Sequence, residues 1–479
     1  MSLYEMHYVN RTSEQARLKE QQQNIFKALQ ELSITTKLQQ QQEADRFLSR
    51  KHLAPTLLHS LSLDPWFPAR YLDVAVECRP YTPYVPETGV DSMTSTTCSS
   101  ASSSILTRQR TTSSSSMASF SFSEKESAIK IELEERDQYG FKRPVQWIEP
   151  KLLQAFDIEY KNTLRKQTKS WSKLFNNNDR QWPTLCSELS RYVRYGVPQN
   201  IRAKAWMHYS GANVKMKQNV GVYQSLTSNT DANEYATIIE RDLYRTFPDH
   251  PLFASEEINS KIPLLRRILT AFSIYNTDIG YCQSLNFLAA FLLIIINNEE
   301  QVFWLFVTTI QDYFPKDMFN KTMQGAQIEQ TVLMMMVYEK LPGVWSKISN
   351  KKCFWECEQT DSLPAVTLVT SHWFLTMFIN ILPVETVLRI WDCFFIGEGY
   401  KVLYQVALTI MKLNEQAIWD AQDSIDTIQI LQNMPRRLIN CHEFIKSVFS
   451  PHGIAFDVTM QEINRKRDLF RNRKTQRQN

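Results

Sequence analysis

From residue 187 onward, apolar positions return at the spacing of a helix turn. Leu265, Ile268, Leu269 and Phe272 follow one another by three, one and three residues, which places all four on one face. Leu438, Cys441, Phe444, Ile445 and Val448 repeat the pattern. Proline and glycine sit mostly between such runs, at Gly196, Pro198, Pro248, Pro263, Pro315, Pro342, Gly343 and Pro383. Alternating strand patterns with hairpin turn pairs are scarce, so the fold class expected is all-α. The most apolar run, Phe287 to Ile296, has ten residues. It is too short to span a bilayer and predicts a buried core helix. Upstream, residues 147–175 read as helical, with Leu152, Leu153, Phe156 and Ile158 as the apolar positions, and Tyr139-Gly140-Phe141 as a turn just before them. No internal repeat of fixed period stands out.

Composition then divides the chain into five stretches. Residues 1–78 form an N-terminal helical extension. Within it, residues 12–50 are rich in Gln, Glu, Lys and Leu, lack Pro and Gly, and predict exposed helix. A stripe of Ile25, Leu29 and Leu32 there is either a partner contact or one side of a solvated helix. Residues 79–124 pass from Pro-punctuated RPYTPYVPET into Ser/Thr-rich chain with too little apolar surface to offset ordering entropy, and predict a disordered linker. Phosphorylation of that linker and an unmodified linker fit it equally. Residues 125–189 are a helical lead-in, 190–455 the main helical domain, and 456–479 a basic tail. The tail carries Arg465, Lys466, Arg467, Arg471, Arg473, Lys474 and Arg477. It is expected to be a solvated, fraying helix end, or else a contact for an acidic membrane surface at about 1 kcal/mol per basic residue.

Charge and cysteine content narrow the function. The 479 residues are 43% hydrophobic and 22% charged with a formal net charge of +4, too mild a balance to indicate nucleic acid. The first residues lack an apolar signal core, so a cytoplasmic protein is expected, peripheral at endomembranes at most. The eight cysteines are scattered. Cys353 and Cys357 are four apart with no second ligand pair following, so reduced thiols are expected there and no metal.

The chain has no GxxxxGK[ST] cradle, GxGxxG loop, HExxH or GxSxG. Phosphoryl chemistry here would complete a site on another protein. Two polar islands interrupt the helical half. In IERDLYRTFP, Asp242 and Arg245 are three apart and share a face if the stretch is helical, while Pro248 ends the element and leaves Arg245 near a helix terminus. In GYCQSLN, Gln283 lies at the start of the apolar run, 283 − 245 = 38 residues later, on a different element. Taken alone, an Arg near a helix end is an ion pair or cap, and a Gln is polar surface.

In order along the chain, GVPQNIRAKAW, IERDLYRTFP, GYCQSLNFLAA and LPVETVLRIWDCFFIGEGYKVL resemble the TBC (Tre-2/Bub2/Cdc16) domain over about residues 190–455. The upstream DQYGFKRP and WSKL segments resemble the growth-hormone-regulated TBC proteins. The resemblance implies a helical activator of Rab-family small GTPases, acting on the GTP form in vesicle trafficking. It implies no cofactor of its own, because GTP and Mg²⁺ belong to the partner. The family pattern IxxDxxR falls on Ile239, Asp242 and Arg245, and YxQ on Tyr281 and Gln283. It thereby implies that Arg245 is an arginine finger and Gln283 a glutamine finger.

Arg202 and Trp206, four apart, are expected to anchor one helix, and Gly196 with Pro198 to shape the turn that opens the domain. Asp242 is expected to orient Arg245, the plainer alternative being an ion pair with Arg241. Trp391 and Asp392 are expected to be core and its supporting hydrogen bond. Two departures stand out: Ser284 and Leu285 where relatives often carry Gly and Met, and residues 344–364, expected to be an extra loop affecting which Rab fits. The other readings of the whole are a non-catalytic Rab-binding adaptor and a purely structural helical protein.

Overall fold

A computed structural model describes residues 136–228, 233–254 and 259–478. The N-terminal helical extension, the Ser-rich linker and the predictions made for them lie outside these residues. The described chain is helical, and its one β-like feature is an isolated bridge between Arg136 and Lys142, around the turn at Tyr139–Phe141.

The helices, in order, are α1 (Pro150–Asn177), α2 (Ser187–Tyr195), α3 (Gln199–Tyr209), α4 (Ala212–Gln218), α5 (Val222–Ser228), α6 (Ala236–Leu243), α7 (Ile262–Tyr275), α8 (Leu285–Ile295) and α9 (Glu299–Thr308). Then come α10 (Gln324–Lys340), α11 (Pro342–Ile348), α12 (Phe354–Gln359), α13 (Thr367–Leu375), α14 (Val384–Cys393), α15 (Lys401–Leu413), α16 (Glu415–Asp420), α17 (Ser424–Asn433), α18 (Cys441–Val448) and α19 (Met460–Gln478). Helices α8, α9 and α15 are buried around most of their circumference and form the centre of the core. The apolar run is α8, as its length and composition predict. The face Leu265, Ile268, Leu269 and Phe272 of α7 is fully buried against it, at about 1.5–3 kcal/mol per side chain. Trp304, Trp373 and Phe394 are likewise core.

The lead-in is held by specific bonds. Helix α1 buries Leu153, Tyr160, Gln167, Trp171 and Leu174, so Leu152 and Ile158, expected to be apolar contacts, face outward instead. Trp171 Nε1 donates to Gly196 O at 2.8 Å, and Gln167 Nε2 donates to Tyr195 O at 2.8 Å. Gly196 is required there twice over: its φ is +130°, and a Cβ would stand 2.3 Å from Gln167 Nε2.

Below this, Arg202 is fully buried in α3. Its guanidinium donates to both oxygens of Asp392, to Glu385 Oε1 at 3.2 Å and to Tyr139 Oη at 3.0 Å, and Trp206 Nε1 donates to Asp392 Oδ1 at 2.9 Å. The tyrosines Tyr139 and Tyr160 both donate to Glu385. This clasp ties the lead-in, α3 and α14 together. Burial pushes the Glu385 carboxyl up, but Arg202 and the two tyrosine hydroxyls reverse that and hold it below the usual carboxylate range. Asp392 therefore serves Trp206 and Arg202; Trp391, contrary to expectation, takes its hydrogen bond from elsewhere, donating Nε1 to Met377 O at 3.1 Å.

Two further expectations are corrected. Residues 344–364 are not a loop laid over the domain but carry most of α11 and all of α12, whose Trp345, Phe354 and Cys357 are buried. The basic tail is not a solvated, fraying end. Residues 460–478 form α19, docked on α10 and α12 by opposite charge. Arg467 forks onto Glu329 at 2.6 and 2.7 Å, Lys466 reaches Glu339 at 2.6 Å, Arg471 meets Asp317 at 2.9 Å, and Arg473 and Arg477 share Glu358 at 2.8 and 2.7 Å. Composition alone shows the tail's charges but not the acids that await them 100 and more residues earlier.

Candidate functional site

Helix α6 is short because its sequence makes it so. Ile239, Asp242 and Leu243 face the core, and the chain leaves the helix at Tyr244, four residues before Pro248. Arg245 thus lies just past the helix end, its side chain about one-third exposed at 37%. It still turns back to the last helical turn: Nε donates to Asp242 Oδ1 at 2.8 Å, and Nη2 donates to the same oxygen. Arg241 Nε stands 3.9 Å from that carboxylate, beyond hydrogen-bond reach. Asp242 is fully buried, so its charge is focused on Arg245 rather than lost to water.

The second island approaches the same carboxylate from the loop between α7 and α8. Tyr281 Oη donates to Asp242 Oδ2 at 2.7 Å. Burial first, then the Asp242 charge, push the Tyr281 hydroxyl well above its ordinary value, so it remains a donor. The loop reaches this position through Gly280, where φ is +62° and a Cβ would stand 2.2 Å from the Tyr235 ring. One carboxylate thus takes Arg245 on one oxygen and Tyr281 on the other. Gln283 follows Tyr281 by two residues. It is half-buried, and its Oε1 is buried with no hydrogen-bond partner among the described residues.

A second link joins the islands, and sequence reasoning missed it. Thr246 Oγ1 donates to Asp242 O at 2.6 Å and accepts from Asn286 Nδ2 at 2.7 Å; Asn286 Oδ1 in turn accepts from Ser284 N at 3.1 Å. Thr246 and Asn286 are buried. Both lie inside the two islands, so their position was visible, but nothing in their spacing shows that they meet. Ser284, flagged as a departure, has φ +88°, the left-handed region that favours glycine.

Of the other residues singled out, Ile239 is core beneath Asp242. Arg202 and Trp206 belong to the clasp on Asp392 and make no bond to Arg245 or Gln283. The two regions do face one opening: Arg245, Phe247 and Phe287 line a cleft of about 730 Å³ together with Tyr139, Lys161 and Glu385. Among the described residues no group of three or more His, Cys, Asp or Glu side chains stands close enough to hold a metal ion. What the site offers is one oriented guanidinium and one uncommitted amide, a pair suited to stabilising spreading negative charge and to holding a water.

Known proteins share this chain's pattern. A profile of the Rab-GTPase-TBC domain matches residues 199–419. The GTPase-activating protein MSB4 of Saccharomyces cerevisiae is 32% identical over 72% of this chain and 84% of its own length. Growth hormone-regulated TBC protein 1 of Homo sapiens is 34% identical over 68% of this chain and 93% of its own. Among solved structures, the Chlamydomonas flagellar RabGAP TBC domain superposes with a TM-score of 0.55 at 26% identity, covering 66% of this chain and 99% of that one.

Proposed function

Because the chain belongs to the Rab-GTPase-TBC domain family, in which its partner is a small GTPase, we propose that it accelerates GTP hydrolysis by a Rab in its GTP form, inserting Arg245 and Gln283 into the partner's site. The observation that carries this reading is the shared carboxylate of Asp242, which holds Arg245 in place and positions the Gln283 loop through Tyr281.

Arg245 brings a permanent charge to a reaction whose transition state spreads negative charge over the transferring phosphoryl and its leaving oxygen. Such an arginine is worth about 10³–10⁵ in rate, or roughly 4–7 kcal/mol. Asp242 holds the guanidinium by one oxygen, leaving Nη1 with no bond to that carboxylate. Gln283 carries an acceptor that no described group uses and an amide donor; once turned toward the partner, this amide can hold the attacking water in line in place of the GTPase's own glutamine. Mg²⁺ and GTP are the partner's, and this chain contributes no cofactor. A role in vesicle trafficking, with the protein at the cytoplasmic face of endomembranes, follows from the partner class.

The test is single-turnover GTP hydrolysis across a panel of Rabs, with wild type beside Arg245→Ala and Gln283→Ala. Stimulation of at least one Rab that both substitutions abolish supports the mechanism and names the substrate. Binding to a GTP-loaded Rab without stimulation anywhere in the panel would replace it with a non-catalytic adaptor.

A further inference from the structure

Helix α1 has two faces of opposite character. One buries Leu153, Tyr160, Gln167, Trp171 and Leu174. The other presents Lys161, Arg165, Lys166, Lys169 and Lys173, all exposed. Residues 161–173 contain five basic side chains and no acidic one, so this stretch alone carries +5 against a net +4 for the whole chain. Lys161, Arg165, Lys169 and Lys173 succeed one another by four and form a row about 18 Å long at 1.5 Å rise per residue. Like charges at that spacing repel, and nothing in the described structure offsets them: none of the five has an acidic partner, and Arg165 donates only to Asn162 Oδ1 at 2.9 Å. The contrast with α19 is sharp, since there Lys466, Arg467, Arg471, Arg473 and Arg477 are each paired with an acid.

We infer that the outer face of α1 docks on an anionic lipid surface. Two features favour lipid over an acidic protein. First, four of the five cations are Lys, which is depleted at protein interfaces, and the one aromatic in the stretch, Trp171, is buried on the opposite face. Compact charges on flexible stems suit a laterally averaged anionic surface rather than a shaped one. Second, Ile158 lies on the same face one turn before Lys161 and is 62% exposed, an apolar side chain placed to enter the headgroup layer. None of the described helices is long and apolar enough to cross a membrane, so the contact is peripheral. Lys161 and Arg245 line the same cleft, so a bilayer lying along α1 would lie beside the opening that Arg245 faces. The inference does not depend on GTPase activation.

Its test is co-sedimentation of the full chain with vesicles of phosphatidylcholine alone or with added phosphatidylserine. The wild type is expected to bind only the anionic vesicles and to release in about 1 M salt, where the screening length is about 3 Å. The variant R165Q/K166Q/K169Q/K173Q should lose roughly tenfold or more in vesicle affinity. A control with the same net charge, K204Q/K217Q/K321Q/K352Q, should bind as wild type. Thermal melts show whether each variant is folded. Equal binding to neutral vesicles, wild-type binding by the α1 variant, or equal loss in both variants would overturn the proposal. So would an α1 variant that keeps vesicle binding but raises KM for a GTPase in solution, which would assign the row to an acidic protein face.

Discussion

Thr246→Val removes one hydroxyl and leaves the side-chain shape almost intact. In the structure that hydroxyl gives its proton to Asp242 O and takes one from Asn286 Nδ2, so it bridges the end of α6, next to Arg245, to the start of α8, next to Gln283. The substitution leaves a buried amide hydrogen of Asn286 without a partner, at a cost of about 1–3 kcal/mol. If all of that energy separates a correctly seated pair of islands from a displaced one, the loss in rate is about 5-fold to 160-fold at 1.36 kcal/mol per tenfold. The assay is single-turnover GTP hydrolysis by a responsive Rab at saturating activator, so that kcat is read apart from KM. The expected outcome is a fall in kcat in this range with KM nearly unchanged, and a melting temperature lowered by a few degrees. Thr246→Ser keeps the hydroxyl and should restore most of the rate. A valine variant that melts earlier yet keeps wild-type kcat would show that the bridge only stabilises the fold. Equal rates for the serine and valine variants would show that the hydroxyl is irrelevant.

Four other outcomes follow from the same structure. Arg245→Lys keeps a charge but not the fork that Asp242 grips through Nε and Nη2, so most GTPase stimulation should vanish in the hydrolysis assay while Rab binding persists. Ser284→Gly should raise stability by about 0.5–1 kcal/mol, read by denaturant melts, because it relieves a left-handed φ. Arg467→Met leaves buried Glu329 with the Tyr404 hydroxyl but without its opposite charge and should cost about 3–5 kcal/mol in the same melts, whereas adding Glu329→Leu should recover much of it. His250 is neutral in the fold: its Nδ1 accepts from Leu252 N at 3.1 Å, so Nε2 donates to Tyr139 O at 2.7 Å, and burial lowers its pKa. A depressed histidine pKa contributes stability that is present above the unfolded value of about 6.5 and lost as pH falls through the folded value. Melting temperature should therefore decline on that limb, and the decline should shrink in His250→Gln.

Helical periodicity made the centre of the fold legible. The α7 face and the apolar α8 run buried as their spacing required, since a residue's own neighbours in sequence set those faces. The lead-in was read less well, because the burial of α1 is decided by Tyr160, Gln167 and Trp171 meeting distant partners at Glu385, Tyr195 and Gly196. Polar side chains with remote partners leave no periodic signal. The same limit hid the tail, where charge was plain but the acids on α10 and α12 were not, and the Thr246–Asn286 bridge, which joins residues 40 apart. The islands themselves were visible as polar interruptions; that Asp242 serves both had to be seen.

The docking of α19 bears on how the protein is made. Glu329 and Glu358 are buried in the domain, yet the arginines that neutralise them come 115 to 138 residues later in the chain. Until α19 has been made, the nascent domain holds these acids without their opposite charges, and α10 lacks the surface that closes over it. A stop codon at the start of α19 would leave the Asp242 and Gln283 islands intact in sequence, with Glu329 and Glu358 stripped of their guanidinium partners.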